Sequence, residues 1–259
     1  MRTPREGNIR TRPTARRSQW NAGKRALDLA CIVIALPVLL PVLGLLSLLL
    51  KCLSRGPLLF KQERMGLGQR PFICFKFRTM KHNADPGTHR EHVLQLARSG
   101  LPMTKLDSKG DPRLIPGGGF LRAIGLDELP QLLNVWRGEM SLVGPRPAVR
   151  YEHETFTAYQ RRRCETLPGL TGLWQVSGKN QTTFQRMIEL DIFYAENRSL
   201  WLDVLILART FPALIKQVLH RDAGRSSSED RAKPKRRRME HRRHHRPSAP
   251  PQNVPTQVH

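Results

Sequence analysis

The longest apolar stretch of this 259-residue chain covers residues 29–50, where 22 consecutive positions carry no charge and Leu, Val, Ile and Ala predominate. At a rise of about 1.5 Å per residue, a helix of this length reaches across a hydrocarbon core about 30 Å thick. A charge-free run of this length exceeds what is usual for the buried helix of a soluble domain. The pattern therefore predicts a membrane-embedded helix.

Two prolines, Pro37 and Pro41, lie in the middle of this stretch, and each removes a backbone donor from a helix. Basic residues flank both ends, and the positive-inside rule places such flanks on the cytoplasmic side. A break near Pro41 that returns the chain to the same face satisfies both ends. We therefore expect a re-entrant helix-break-helix over residues 23–55 in preference to a spanning helix. The flanking basic residues are Lys24, Arg25, Lys51, Arg55, Lys61 and Arg64.

After the apolar stretch, residues 58–61 precede a Gly66-Leu67-Gly68 turn, and residues 72–78 follow it with apolar and polar positions in alternation. This arrangement is typical of a β-hairpin. In the second strand, Lys76 and Arg78 point to the same face, because successive side chains alternate. Two cations on one face form either a phosphate grip or an ordinary solvated surface, and the pattern alone leaves both interpretations open.

Three further segments have helical patterns. A short helix is expected around residues 91–98, within an otherwise polar stretch. A second begins near residue 127, with Asp127 as the N-cap and Pro130 in the first turn, where proline is tolerated. Residues 188–218 are apolar but interrupted by charges, which favours interfacial amphipathic helices with Trp201 and Phe211 near the lipid headgroups.

The chain is strongly basic, with a formal net charge of +23, and the two tails account for much of it. Residues 1–25 hold eight basic residues against one acidic residue, and residues 221–259 hold eleven against four, so each tail carries +7. Such segments bind either nucleic acid or anionic lipid, at roughly 1 kcal/mol per basic residue near a membrane surface. No nucleic-acid-binding motif accompanies the apolar stretch, so a nucleic-acid-binding protein is a remote alternative.

These patterns predict an α+β fold that is mainly helical, in which an N-terminal re-entrant membrane hairpin helix, a small β-hairpin and interfacial helices surround a compact cytoplasmic domain. We divide the chain into a disordered basic tail (1–22), the membrane helix (23–55), the cytoplasmic domain (56–220) and a disordered polybasic tail (221–259). The four scattered cysteines are expected to be reduced, and nothing resembles a removable signal peptide.

Asp127 and Glu128 are the strongest candidates for chemistry. Two acids at a helix start are often only caps that interact with the helix dipole, at about 0.3–1 kcal/mol. Here, however, Arg122 precedes them and Gly144-Pro145-Arg146-Pro147 follows the helix, which holds Arg146 between two rigid residues. Carboxylates, fixed arginines and a helix N-terminus together suit phosphate chemistry with a divalent cation.

The segment LDELPQLLNVWRGEMSLVGPRP (126–147) resembles the signature of the bacterial sugar transferases, the monotopic polyprenyl-phosphate phosphoglycosyl transferases. Further segments match in order, and together they cover residues 24–220 apart from the 81–110 loop. These segments are KRALD (24–28), QERMGLGQRPFICFKFRTM (62–80), DPRLIPGGGFLR (111–122), LPGLTGLWQVSGKN (167–180) and DIFYAENRSLWLDVLILART (191–210).

The resemblance implies an enzyme at the cytoplasmic face of the bacterial inner membrane that moves a sugar-1-phosphate from a UDP-sugar to polyprenyl (undecaprenyl) phosphate and releases UMP. Such a step initiates exopolysaccharide, O-antigen, capsule or glycoprotein glycan assembly. By this resemblance Asp127 is the nucleophile that forms a phosphosugar-aspartyl intermediate, Glu128 helps to bind Mg²⁺ or orients the pair, and Arg146 binds nucleotide or phosphate. Lys76, Arg78 and Arg122 are further candidates for binding the same anions.

The chain departs from the family pattern at three places. Many members have serine where Leu40 and Gly125 stand, and a flexible Pro-Gly-Gly-Gly stretch at 116–119 replaces a more polar one. Two alternatives stay open: a membrane scaffold that keeps the fold without catalysis, and direct transfer in a ternary complex with Asp127 as a metal ligand only. A salt bridge that merely fixes its turn is the alternative for Arg146.

Overall fold

The computed structural model describes residues 14–54, 56–81, 87–103, 111–179 and 181–215. The fold is mainly helical with a few short strands. In chain order its elements are α1 (Thr14–Leu53), β1 (Leu59–Met65), β2 (Pro71–Phe77), α2 (Gly87–Ser99), α3 (Gly118–Ile124), α4 (Leu132–Arg137), β3 (Ser141–Val143), β4 (Ala148–Val149), α5 (Arg150–His153), α6 (Ala158–Arg161), β5 (Gly169–Thr171), α7 (Leu173–Val176), α8 (Phe184–Asn197) and α9 (200–215).

The predicted β-hairpin is confirmed, and it forms most of a three-stranded sheet. Strands β1 and β2 pair antiparallel from Leu59 opposite Phe77 to Met65 opposite Pro71. Strand β4 adds to the other side of β1, which leaves β2 at the edge of this sheet. A separate parallel pair joins β3 to β5. The helix expected around residues 91–98 is also confirmed, as α2.

Helix α1 differs from the sequence prediction at both its start and its middle. It begins at Thr14, so it includes nine residues that the pattern assigned to the tail. Residues such as Ala, Arg and Gln favour helix, and extending an existing helix costs little. Pro37 and Pro41 lie inside one uninterrupted helix, and the predicted re-entrant break is not confirmed. Both predicted tails otherwise lie outside the described residues.

Much of α1 is apolar and exposed, as a membrane-embedded helix requires. The stretch Ala22–Leu53 is long and apolar enough to cross a membrane. Ile34 and Val38 in its middle are 78% and 70% exposed, whereas Ile32 and Leu50 nearer its ends are buried. Soluble proteins rarely leave so large an apolar surface uncovered, so this surface indicates contact with lipid.

Both ends of the apolar part of α1 pack against the same folded domain. Ile32 belongs to a buried cluster with residues of β2, α4, β3, α8 and α9. Leu46 and Leu50 belong to a second cluster with Phe77 of the hairpin and Ile115. A third cluster joins α2, α7 and α8 around Trp174 and lies away from α1. The domain therefore holds α1 at two separate places.

Helix α9 carries an exposed apolar face over the region predicted to be interfacial. Trp201 and Phe211 are 76% and 77% exposed, and Val204 and Ile215 are exposed with them. Asp203 and Ile206, on the opposite face, are fully buried. A helix with this division of residues is amphipathic, and its uncovered side is suited to a membrane surface.

Candidate functional site

The two acidic residues lie in a 3₁₀ turn, Leu126–Gln131, placed between α3 and α4. Gly125 links α3 to this turn with a φ of +77°, a left-handed conformation that favours glycine over serine. Gly125 is therefore the N-cap, and the prediction that Asp127 caps the helix is wrong. The N-cap lies two residues earlier than predicted because the left-handed glycine redirects the chain directly after α3. Pro130 is the fifth residue of this 3₁₀ segment, and so it lies past the first turn in which it was predicted.

Asp127 and Glu128 have different surroundings although they are adjacent. Asp127 is buried, with 5% of its surface exposed. The Glu128 side chain is 37% exposed, and its Oε1 accepts a hydrogen bond of 3.0 Å from Nζ of Lys76. Lys76 lies on β2, 52 positions earlier in the chain. The structure thus places a cation of the hairpin beside the acidic pair, which a purely solvated strand face would not do.

Arg146 lies in the loop that joins β3 to β4. Its Nη1 donates to both carboxylate oxygens of Glu152, at 2.9 and 3.0 Å. Glu152 is 1% exposed, whereas the Arg146 side chain keeps 21% of its surface exposed. The guanidinium is therefore both fixed by a salt bridge and open to solvent on one side. This geometry suits an arginine that receives an anion without having to be ordered first.

Two buried arginines hold the Arg146 loop in place by donating hydrogen bonds to its backbone. Nη2 of Arg163 donates to the carbonyl of Arg146 at 2.7 Å and also pairs with Asp191. Nη1 of Arg64 donates to the carbonyl of Pro147 at 2.8 Å. Both arginines are almost completely buried. Because each holds a backbone carbonyl of the loop, they fix its path as well as adding positive charge.

This buried network shifts the pKa values of its two acidic groups, Glu152 and Asp191, in opposite directions. Burial alone would raise the pKa of Glu152, but Arg146, Arg163 and Arg64 outweigh it and hold that pKa below its ordinary value. Burial raises the pKa of Asp191 to about 6, against the opposing effect of Arg163 and Arg146. Glu152 is therefore the firm anionic partner of the loop, and Asp191 is the group that titrates more easily.

Lys179 is a further cation of the site, and the sequence analysis did not single it out. Burial lowers the pKa of the half-buried Lys179, while the nearby Glu128 acts in the opposite direction. Lys76, Asp127 and Arg146 also act on it, so it belongs to the same cluster of charges. Lys179 is therefore a compact cation within electrostatic range of the two carboxylates.

The structure places Arg78 beside the end of α1 and Arg122 within electrostatic range of Asp111. Arg78 is 9% exposed, and its Nη2 donates to Oγ of Ser54 at 3.4 Å, just after the end of α1. A Cβ on Gly56, whose φ is +126°, would lie 2.6 Å from Nη1 of Arg78, so that position requires glycine. Arg122 lies close enough to Asp111 to help Arg113 lower the pKa of Asp111.

Several charged residues of the site were not predicted to belong to it, and Arg64 was named only as a basic residue that flanks the apolar stretch. Arg64, Lys179 and Asp191 stand inside the segments quoted for the family resemblance, so each could have been selected as a charge within a matching motif. Glu152 and Arg163 stand outside every quoted segment and have no such signal. Only the fold brings them under the Arg146 loop.

The donor set fits a magnesium ion that is shared with a phosphorylated substrate. Among the described residues no group of three or more His, Cys, Asp or Glu side chains is arranged to hold a metal by itself. Asp127 and Glu128 supply two adjacent carboxylates, and the Glu128 side chain is partly open to solvent. Mg²⁺ is commonly bound by one or two carboxylates together with substrate phosphates and water. The residues present therefore fit Mg²⁺.

Comparison with known proteins agrees with the phosphate chemistry that the site suits. The family model described as "Bacterial sugar transferase" matches residues 19–217. The chain is 39% identical over 197 residues to the exopolysaccharide production protein ExoY of Sinorhizobium fredii, covering 74% of this chain and 84% of that protein.

Two further relatives are named for their reactions. The UDP-glucose:undecaprenyl-phosphate glucose-1-phosphate transferase of Caulobacter vibrioides is 40% identical over 200 residues, covering 74% of this chain and 69% of that protein. The UDP-galactose-lipid carrier transferase of Erwinia amylovora is 38% identical over 75% of this chain, which spans only 40% of that longer protein. The match over 19–217 includes the acidic pair, Lys76, the Arg146 loop and most of α1, and the chain belongs to the bacterial sugar transferase family.

Proposed function

We propose that this protein is a phosphoglycosyl transferase that moves a sugar-1-phosphate from a UDP-sugar to polyprenyl phosphate and releases UMP. The observation that carries the proposal is the placement of buried Asp127 and partly exposed Glu128 beside Lys76, close to the Arg146 loop. Relatives with names that state sugar-phosphate transfer to undecaprenyl phosphate support the substrate class. The product would be the first lipid-linked sugar of an exopolysaccharide or a related glycan.

In the proposed reaction a carboxylate oxygen of Asp127 attacks the β-phosphorus of the UDP-sugar. The new oxygen–phosphorus bond forms as the bond to the bridging oxygen breaks, and UMP leaves with that electron pair. A phosphate oxygen of the polyprenyl carrier then attacks the same phosphorus and releases the Asp127 carboxylate. Both attacking groups are already anionic, so neither step requires a general base to remove a proton.

A carboxylate attacks an anionic phosphorus slowly unless the charge of the phosphates is neutralised. Asp127 and Glu128 would hold the Mg²⁺, which when bound neutralises charge on the diphosphate. Lys76 and Lys179 add two cations beside the carboxylates, and Arg146 adds a third from its loop. Positively charged groups that are already fixed stabilise charge that develops on a transferring phosphoryl group.

The membrane helix is consistent with a lipid acceptor that must reach this site. Leu214 of α9 lies 3.9 Å from where a Cβ on Gly125 would be, two residues before Asp127. The exposed apolar face of α9 would therefore bring the bilayer surface close to the acidic pair. We also propose that α1 enters and leaves the membrane on the cytoplasmic side, since both of its ends contact one domain.

The activity is tested with full-length protein in lipid nanodiscs, Mg²⁺, polyprenyl phosphate and a panel of UDP-sugars, with UMP release as the readout. We expect UMP release with one or a few donors, and Asp127→Asn is expected to abolish it. The control is Glu189→Gln, which changes an exposed carboxylate that pairs with Arg186 on α8. Full activity of Asp127→Asn would overturn the assignment of the nucleophile.

Trapping separates covalent catalysis from direct transfer. Protein incubated with a donor labelled in the sugar phosphate, without polyprenyl phosphate, should retain the label through denaturation if Asp127 forms an adduct. Asp127→Asn should retain none. If wild-type protein turns over with acceptor present but never holds label in its absence, transfer is direct and Asp127 acts only as a metal ligand.

The topology of α1 is tested with a membrane-impermeant maleimide. All four cysteines lie in the part of the chain that the structure describes, and there Cys52 is exposed whereas Cys31, Cys74 and Cys164 are buried or half-buried. An Ala22→Cys variant adds an exposed thiol at the other end of the apolar stretch. If α1 is re-entrant, both thiols react from the same side of sealed vesicles. Labelling from opposite sides would show that the helix spans the membrane.

A further inference from the structure

The outer edge of β2 is closed by a side chain instead of by another strand. Asn134 of α4 is fully buried, and its Oδ1 accepts a hydrogen bond of 3.1 Å from the backbone N–H of Phe75. Its Nδ2 donates at 2.6 Å to the carbonyl of Ile73. One amide group thus satisfies a donor and an acceptor that an edge strand would otherwise leave unpaired.

These two bonds have the pattern that one residue of a parallel strand makes. Such a residue donates to the carbonyl before a central residue of its neighbour and accepts from the N–H after it, and here the central residue is Cys74. Nδ2 also donates to Oε2 of Glu139 at 2.7 Å. Because both amide hydrogens are used, the oxygen of Asn134 is directed at Phe75 and the side chain has one orientation.

The same helical segment and the same strand meet a second time at the site. Glu128 lies six positions before Asn134, and Lys76 directly follows Phe75 in β2. The Glu128–Lys76 ion pair and the Asn134 amide therefore join one segment to one strand at two neighbouring places. Of these two attachments only the amide is fully buried, so it is the one that solvent does not weaken.

We propose that Asn134 is a positioning residue for the transfer reaction. By acting as a one-residue parallel strand, it sets where the turn that carries Asp127 and Glu128 lies along β2 and therefore along Lys76. The inference rests on the proposed function for the roles of these three residues. The opposing interpretation is that Asn134 only fills the core and protects a sheet edge, in which case a leucine of similar size would serve as well.

The test compares Asn134→Leu, Asn134→Ala and the control Val93→Ala in nanodiscs, with kcat and KM from UMP release and thermal unfolding of each variant. Val93→Ala shortens a buried side chain of α2 in the cluster that lies away from α1. We expect kcat to fall on the order of 10²-fold in both Asn134 variants, because misplacement by about 1 Å costs that much. Val93→Ala should keep its kcat.

Wild-type kcat in Asn134→Leu, or an equal loss in Val93→Ala at equal thermal stability, would overturn the inference. A measurement without substrate keeps it separate from the proposed function. Lys76→Cys and Glu128→Cys are combined in a Cys52→Ser background, and disulfide formation between the two new thiols is followed with and without Asn134→Leu. Slower disulfide formation with Asn134→Leu supports the positioning role even if Asp127→Asn proves active. An unchanged rate of disulfide formation refutes that role.

Discussion

Nζ of Lys24 donates a hydrogen bond of 2.7 Å to Oδ2 of Asp203, and the two residues stand 179 positions apart in the chain. Lys24 lies near the start of the apolar part of α1, and Asp203 lies on the buried face of α9. The hydroxyl of Tyr194 donates to the other oxygen of Asp203 at 2.6 Å. Burial raises the pKa of Tyr194 far above its ordinary value, so the hydroxyl keeps its proton.

Lys24→Met is expected to destabilise the protein by about 3–5 kcal/mol, because it leaves a buried carboxylate without its cation. Thermal unfolding in detergent micelles measures the change. The matched control is Arg186→Met, which breaks an exposed ion pair on α8. Exposed pairs contribute about 0–1 kcal/mol, so the control should unfold near the wild-type temperature. Equal losses in the two variants would contradict the buried pair as a main attachment of α1.

Lys76→Met is expected to reduce kcat/KM on the order of 10²-fold, since fixed charges at a transferring phosphoryl group contribute that much. Lys76→Arg keeps the charge but changes its geometry, and it should retain part of the activity. Steady-state UMP release measures both. Lys61→Met removes an exposed cation from the neighbouring strand β1 and serves as the control. Loss of activity in that control would show that the strand surface matters, and not the ion pair with Glu128.

The sequence predicts local features well because they depend on neighbouring residues. The length and apolar character of the 29–50 stretch predict one long apolar helix, which the structure contains, and glycines between the two strands indicate the hairpin turn. The predicted N-cap, Asp127, is two residues too late, because the left-handed Gly125 at the end of α3 also begins the next turn. The backbone conformation of a single residue is difficult to predict from the amino-acid sequence.

The contacts that assemble the site could not be predicted in the same way. Lys76 meets Glu128 across 52 positions, and Asn134 meets Phe75 across 59. Alternation along β2 shows which face Lys76 occupies but not which segment covers that face. Glu152 and Arg163 look like ordinary surface charges in the sequence, and only burial under the Arg146 loop distinguishes them.

The pH dependence of kcat/KM should show the loss of charge on Lys179 at alkaline pH. Its pKa is lowered by burial, so it loses its charge at a lower pH than an ordinary lysine does. If the charged form binds the donor, kcat/KM falls as pH rises through this lowered pKa. Lys179→Arg stays charged, and its alkaline fall should move to higher pH. Profiles of kcat/KM for wild type, Lys179→Arg and the exposed control Lys61→Arg test this, and an unmoved alkaline limb in Lys179→Arg would contradict it.

Glu152→Gln is expected to change how stability depends on pH. A carboxylate with a lowered pKa contributes stability above its ordinary titration range and loses it as pH falls through the lowered value. The difference in unfolding temperature between wild type and Glu152→Gln should therefore be large at neutral pH and shrink below about pH 4. Scans of both proteins across pH 3–7 in micelles measure it.

Asp191→Asn is expected to change the pH dependence of stability in the opposite direction to Glu152→Gln. Because the pKa of Asp191 is raised to about 6, its contribution is most favourable at low pH and declines as pH rises towards 6. The stability of wild type relative to Asp191→Asn should accordingly fall over that interval. If both variants show the same pH trend, Arg163 and Arg146 do not distinguish the two acids as the structure indicates.

The exposed apolar face of α9 should contribute to membrane binding. Trp201→Ala and Phe211→Ala together remove two aromatic side chains that are about three-quarters exposed. If these rings enter the interface, the double variant extracts from vesicles at lower salt or carbonate strength and turns over polyprenyl phosphate more slowly, while fold and thermal unfolding stay unchanged. Phe193→Ala, an exposed aromatic on α8, is the control. Equal extraction of wild type and double variant, with unchanged KM for the lipid acceptor, would show that α1 alone provides the membrane contact.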